Sequence, residues 1–167
     1  VICLHQNHRM TLDCVYVCRL IAADARARLM RSRFLPLLER FDVSLVLNGH
    51  SGAYERSLPL RGHYGLSRSF SPDLHVRGEW ENQGRVLHRS RSETGEGSGA
   101  VYVNVGVGGT LARSLGRHPA VHAAMRARGS LLLELDDVTI RGRFVAADGS
   151  RHGASQDEFT IVHEEHA

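Results

Sequence analysis

Lysine is missing from this 167-residue chain, so every one of its 21 basic residues is an arginine. The absence rules out the phosphate-gripping lysine of a P-loop, and the glycine-rich Gly106–Gly109 therefore reads as a tight turn at a strand end. The arginines are interleaved with 18 acidic residues, leaving a formal net charge of +3. A nucleic-acid binder gathers positive charge on one face or segment, so no nucleic-acid partner is expected. No apolar run approaches the roughly 18 residues of a membrane-spanning helix, and no membrane partner is expected either. Cysteine is scarce: Cys3, Cys14 and Cys18 are an odd set confined to the first 18 residues, which excludes a disulfide framework. A zinc site built from Cys14 and Cys18 with His5 and His8 matches none of the usual ligand spacings, and buried thiols are the plainer reading.

With 42% hydrophobic and 23% charged residues, the composition is that of one soluble globular domain. The chain opens on Val1–Ile2–Cys3–Leu4, apolar and strand-like, without a methionine and without the basic flank of a signal peptide. That opening suggests a fragment beginning inside a folded unit.

Residues 1–5 read as a short buried strand ending at His5. Met30, Phe34, Leu37, Leu38 and Phe41 recur at helical spacing and predict one apolar helix face, with Arg31, Arg33, Glu39 and Arg40 on the solvated side. Pro36 is expected to kink that helix or to start a second one. Val43–Leu47 has the branched aliphatic run of a buried parallel strand, so strand, helix and strand suggest a βαβ unit. Ser57 to Gly99 reads as long loops with apolar spots at Trp80 and Val86–Leu87. Ala100–Val107, Ser130–Asp136, Val138–Ala146 and Glu158–His163 are strand candidates, and Asp148–Gly149 is a turn signal; the last third is therefore expected to be mostly antiparallel sheet.

The chemistry concentrates in Asn48–Gly49–His50–Ser51–Gly52–Ala53–Tyr54–Glu55–Arg56, directly after the buried strand. In an open α/β sheet the crevice beyond the carboxyl ends of the strands is where ligands bind, and His5 at the end of the preceding strand is expected at the same edge. Two imidazoles converging there, His50 and His5, are candidate metal ligands.

This segment resembles the Gly-His-x-His-x-Tyr-Glu-Arg motif of calcineurin-like metallophosphoesterases of the purple acid phosphatase type. Phe34–Arg40 and Val43–Leu47 look like the helix and strand leading into that loop. Gly62–His63–Tyr64–Gly65, Val101–Val103 with Gly106–Gly109, His118–Pro119–Ala120, Gly129–Leu131 and Asp157–Ile161 look like later landmarks in the same order. The resemblance implies an α/β fold, the C-terminal part of a four-layer α/β/β/α sandwich. Residues 1–65 would close the metallophosphoesterase core, and residues 66–167 would form a C-terminal region packed on the same domain. It also implies acid phosphatase-like hydrolysis of a phosphate ester by two metal ions (Fe, Zn or Mn), which activate water and neutralise the entering and leaving oxygens. A secreted or extracytoplasmic setting comes with that family.

Carried over by position, His50 is the motif's first histidine, His5 matches a histidine after an earlier strand, and His63 is a candidate substrate contact. Gly49, Tyr54, Glu55 and Arg56 fill structural positions of the motif, with Arg56 able to pair with an acidic neighbour. The motif's second histidine is Gly52 here, so the second metal has lost a ligand. Gly-Asp-x-x-Asp and Gly-Asn-His motifs are absent from this sequence, and its one Asp-x-His, Asp73–Leu74–His75, lies after the Gly49–Arg56 segment rather than upstream of it, where the family carries its metal-binding Asp. The expectation is a phosphoesterase fragment that is inactive as this chain, with no catalytic residue assigned. In a chain completed by a family N-terminal half, Gly52→His is expected to raise activity more than any other single substitution in this region by returning a ligand to the second metal, with a smaller gain if the loop holds Gly52 at positive φ. One alternative is a degenerate, non-catalytic fold acting as a binding module. Another is an α/β-hydrolase with Ser51 as nucleophile, which requires a helix straight after the elbow.

Overall fold

The computed structural model describes residues 2–4, 11–12, 25–49, 51–90, 97–115, 118–147 and 157–164. Among them the order is β1 (Ile2–Leu4), β2 (Thr11–Leu12), α1 (Ala25–Arg40), β3 (Leu45–Asn48), β4 (Tyr54–Ser57), a 3-10 turn (Ser67–Ser69), α2 (Pro72–His75) and β5 (Trp80–Glu81). There follow β6 (Val86–Ser90), β7 (Val101–Val105), β8 (Val121–Met125), β9 (Gly129–Leu135), β10 (Thr139–Ala146) and β11 (Glu158–Glu164). The mixed α/β content, dominated by strands, agrees with the expected class. The zinc reading of His5, His8, Cys14 and Cys18 falls outside the described residues, as does the Asp148–Gly149 turn.

Two sheets carry the fold. The first has six strands in the order β2-β1-β3-β7-β4-β8, and the second has five in the order β5-β6-β11-β10-β9. As expected for the last third, β9, β10 and β11 pair antiparallel; β11 then runs parallel to β6. In β10, Ile140, Gly142, Phe144 and Ala146 are buried while Arg141, Arg143 and Val145 are exposed, the period-two signature of a half-solvated strand.

Leu45, Val101 and Val103 from the first sheet meet Leu87, Ile140, Phe144, Phe159 and Ile161 from the second in one dry core. Each such side chain contributes about 1.5–3 kcal/mol on burial. Intervening residues Val46 and Tyr102 point to the other face of the first sheet, where Leu35 of α1 covers them together with Val43, Leu60, Ala100 and Ala120. The result among the described residues is three layers: α1 with its neighbouring loops, the six-stranded sheet and the five-stranded sheet. The outer face of the second sheet presents exposed His88, Arg141, Arg143 and Glu158, a surface patterned for water.

Two expectations need correction. First, β1 is antiparallel to β3, with Ile2 opposite Leu47 and Leu4 opposite Leu45, so β1, α1 and β3 do not form a βαβ unit. The parallel neighbour of β3 is β7. A short apolar strand carries no mark of direction in its composition; direction follows from the connection and the pairing. Second, the inward face of α1 carries Arg31 and Leu35, whereas Phe34, Leu37 and Phe41 are exposed. The helix has two apolar stripes, and the one beside Val43 and Val46 is buried.

Pro36 sits within α1 without ending it. The helix stops instead at Asp42, which takes a left-handed φ of 48° so that the Val43 N–H reaches the Leu38 carbonyl at 3.0 Å and the Asp42 N–H reaches that of Glu39 at 3.1 Å. The Asp42 carboxylate then accepts from Arg89 of β6 at 2.9 Å, tying the helix end to the second sheet. The buried contact of Ser44 Oγ with His163 Nε2 at 2.6 Å makes a second tie between the sheets.

Candidate functional site

The loop after β3 is built on a row of polar residues. Asn48 and Asn104 are neighbours in the parallel register of β3 and β7, and Glu55 of β4 stands opposite Asn104. Asn104 Nδ2 donates to Ser51 Oγ and, at 3.4 Å, to Glu55 Oε2, while Ser51 Oγ accepts from the Ala53 N–H at 3.1 Å. Glu55 thus shares the Asn104 amide with the Ser51 turn. Strand β4 begins at Tyr54, so no helix follows Ser51. That removes the nucleophile-elbow reading, and Ser51 acts as a turn residue.

Gly52 is fixed by its backbone. Its φ is +71°, and a Cβ there would stand 2.5 Å from the Ala112 nitrogen and 2.8 Å from the Thr110 oxygen. The Ala112 N–H donates to the Gly52 carbonyl at 2.7 Å, closing the 110–112 segment over the loop. An imidazole at 52 therefore meets both an unfavourable φ and a backbone wall, which overturns the expectation that Gly52→His restores a ligand.

His50 and His5, the expected metal ligands, lie outside the described residues. Gly49, beside His50, is at the carboxyl edge of the sheet marked by Asn48. Because β1 is antiparallel, its Leu4 end lies at the Leu45 edge, so strand direction no longer brings His5 and His50 together. Among the described residues no group of three His, Cys, Asp or Glu side chains is placed to hold a metal ion. These residues do not by themselves fit a dinuclear centre.

Tyr54 and Arg56 have clear roles. Arg56, 2% exposed, donates through Nε to Asp157 Oδ2 at 2.6 Å and through Nη2 to Asp157 Oδ1 at 2.8 Å, and Nη2 also reaches the Gly84 carbonyl at 3.0 Å. The Tyr54 hydroxyl donates to Asp157 Oδ2 at 2.7 Å. The guanidinium lies 4.3 Å from the centre of the Trp80 ring and 5.3 Å from that of Phe159. Burial pushes the Asp157 carboxyl up, but the Arg56 hydrogen bonds and charge, with the Tyr54 hydroxyl, outweigh it and hold the group below the usual carboxylate range. Burial, then the Asp157 charge, pushes the Tyr54 phenol far up, so it stays a donor. The acidic neighbour expected for Arg56 is thus Asp157, at the head of β11.

His63 is 4% exposed and does not front an open groove. Its ring packs against Phe70, His75 and His118 with centroid distances of 5.3, 4.8 and 5.6 Å. His63 Nε2 lies 3.3 Å from the Leu66 carbonyl, and His118 Nδ1 accepts from the Ala120 N–H at 3.1 Å. Burial foremost, then neighbouring His63, brings His118 down to about 4; burial and then His75 lower His63. The motif position thus fills an inner cluster on the α1 side of the first sheet. Asp157, His118, His75 and Trp80 were not marked as site residues by the sequence, for each acquires its role through a partner distant in the chain.

No protein-family model matches the chain. Two curated proteins of Mycobacterium tuberculosis are similar to it: uncharacterized protein Rv2577 of strain H37Rv and uncharacterized protein MT2654 of strain CDC 1551. Each is 31% identical over 110 residues, which is 66% of this chain and 17% of theirs. The chain thus spans about a sixth of the length of the curated relatives it matches. Among solved structures, purple acid phosphatase PPD1 from yellow lupin (Lupinus luteus) seeds superposes with a TM-score of 0.53 at 19% identity, over 77% of this chain and 19% of that one. In fold, the chain is similar to a part of that purple acid phosphatase.

Proposed function

We propose that this chain is the C-terminal part of a calcineurin-like metallophosphoesterase of the purple acid phosphatase type, and that on its own it does not turn over phosphate esters. The observation that carries the reading is the fold similarity to the lupin phosphatase over 77% of the chain. The Gly49–Arg56 motif residues, set at the carboxyl edge of a buried parallel strand, agree with it. The four-layer sandwich, its two metal ions and a phosphate ester substrate belong, in this reading, to a longer polypeptide. Residues 1–65 and 66–167 supply its closing portion. In this reading His50 remains a ligand of one metal, His5 is not its companion because β1 runs antiparallel to β3, and the further ligands must come from elsewhere. The contribution of Tyr54, Glu55 and Arg56 is to brace the loop that carries His50.

A second reading, a degenerate fold retained as a binding module, is favoured by Gly52, whose surroundings leave no room for a ligand side chain. One pair of assays separates the two. The 167-residue chain is tested for release of p-nitrophenol from its phosphate with Zn²⁺, Mn²⁺ or Fe supplied. A chimera of Rv2577, with this chain in place of the matched segment, is tested beside parental Rv2577. Silence of the chain with metal-dependent turnover in the chimera is the expected result. Turnover by the chain alone that disappears in His50→Ala overturns the claim of silence. A folded but silent chimera beside an active parent favours the binding module.

A further inference from the structure

Away from the Asn48 edge, a cleft of about 290 Å³ opens at the rim of the two sheets, where Arg143 and Glu158 from the outer face of the second also border it, and three of its nine lining residues are arginines. Its walls come from Arg56 of β4, the 83–85 turn joining β5 and β6, His122 and Ala123 of β8, Arg143 of β10, and Asp157 with Glu158 at the head of β11. Strand register separates it from the loop after β3. β8 runs antiparallel to β4, pairing Tyr54 with Met125 and Ser57 with Val121, so His122 lies toward the end of the sheet opposite Asn48.

The donors in this cleft exceed what the protein itself uses. Asp157 is neutralised by Arg56, whose Nη1 is buried without a hydrogen-bond partner. Arg85 and Arg143 are both exposed and make no ion pair among the described residues, although Glu158 stands opposite Arg143 in the strand register. The remaining charge is two cations against the single carboxylate of Glu158. Gln83 adds a side-chain amide. The turn is shaped to deliver these groups: Asn82, Gln83 and Gly84 all have positive φ, and a Cβ on Gly84 would stand 2.1 Å from His122 Nε2, so only glycine lets that ring close over the turn. Burial, then the Arg56 charge, holds His122 below the ordinary imidazole range, so near neutral pH it enters as an uncharged hydrogen-bonding ring.

We propose that this cleft binds a small organic phosphate, with Arg85 and Arg143 contacting its oxygens above the Arg56 guanidinium. Arginine forks match oxyanions two contacts at a time, and three of them around one cavity supply more donors than a planar carboxylate has oxygens. The volume lies at the lower bound of small-molecule sites, enough for a phosphate on a short carbon skeleton. The proposal shares Arg56 with the phosphoesterase reading but does not depend on that reading, since Arg85 and Arg143 make the contacts.

Trp80 is the sole tryptophan and lies against Arg56, so its fluorescence reports on the cleft. The 167-residue chain is titrated with glycerol 3-phosphate, inorganic phosphate, acetate and, at matched ionic strength, chloride. A saturable change is expected with the two phosphates. About tenfold weaker binding is expected in Arg85→Gln and in Arg143→Gln, each the loss of one charge-assisted contact. Both side chains are exposed, and unchanged circular dichroism confirms that each variant is folded; if one fails to fold, the other decides. Absence of saturation in the parent chain, equal saturation by chloride, preference for acetate, or undiminished affinity in the folded variants would overturn the proposal.

Discussion

Arg56 and Asp157, 101 residues apart in the chain, meet in a two-pronged ion pair that joins the two sheets at 2.6 and 2.8 Å. The pair is largely buried, its side chains 2% and 10% exposed, and the guanidinium is stacked on Trp80, so both charges have lost most of their hydration. Asp157→Asn is therefore expected to lower unfolding free energy by about 3–5 kcal/mol, because it leaves the guanidinium inside without a counter-charge. Arg56→Met with Asp157→Asn should cost less than the two single changes added together. Urea denaturation of the four proteins checks this; strict additivity would show that the pair is not coupled.

Tyr54→Phe removes one donor to the same carboxylate and nothing else of comparable size. The expected loss is about 1.5–3 kcal/mol, the range for a hydrogen bond to a charged group. Phe144 lies 4.6 Å from the Tyr54 ring and should be undisturbed. A change below a few tenths of a kcal/mol would assign Asp157 to Arg56 alone.

The inner histidine cluster sets a pH dependence. Both His63 and His118 have folded-state values below 6.5, so the unfolded chain binds protons that the native state refuses, and stability rises with pH across that interval. Their contribution is complete above 6.5 and is lost as pH falls, until His118 protonates in the fold at about 4. Asp157, held below 3.8, adds a further loss at still lower pH. His118→Asn keeps an acceptor for the Ala120 N–H without titrating in this window. It should flatten the slope of melting temperature between pH 6.5 and 4.5, whereas an unchanged slope would remove His118 from the account.

At Gly52, alanine is the smallest probe. The left-handed backbone alone costs roughly 1–2 kcal/mol for a residue with a Cβ, and the 110–112 segment must also move. Gly52→Ala is expected to destabilise by at least that amount in urea, and Gly52→His by more, with no gain in bound metal by elemental analysis. A stable Gly52→His chain with added metal would restore the original expectation of a missing ligand.

Phe34, Leu37 and Phe41 leave an apolar stripe on the open side of α1. The chain is expected to self-associate with rising concentration, and Leu37→Gln with Phe41→Gln to suppress this without loss of stability. Sedimentation velocity over a concentration series is the check; a parent chain that stays monomeric throughout contradicts it.

The sequence was informative where a strand is half solvated or bounded by turns. β9, β10 and β11 fall within a residue of the expected segments because alternation in Thr139–Ala146 and Glu158–Glu164 is written by burial on one face. Val121–Met125 escaped notice since His-Ala-Ala in its middle has little β preference, and only pairing with β4 makes it a strand. The apolar face of α1 was ambiguous because the helix has two candidate stripes, and composition does not say which one a sheet will cover. Within the site, Tyr54, Glu55 and Arg56 were visible as a motif, whereas Asp157 was not, its partnership being a matter of tertiary approach.

β11, from the last tenth of the sequence, is threaded between β6 and β10 in the middle of the second sheet, with Asp157 at its head. During synthesis the earlier strands must wait, because β6 has no neighbour on that side and Arg56 no counter-ion until residues 157–164 have emerged. Such late, non-local closure is slow and exposes unpaired strand edges in the interval. A nascent chain halted before residue 157 thus holds every other strand of the second sheet yet lacks the one that makes it continuous.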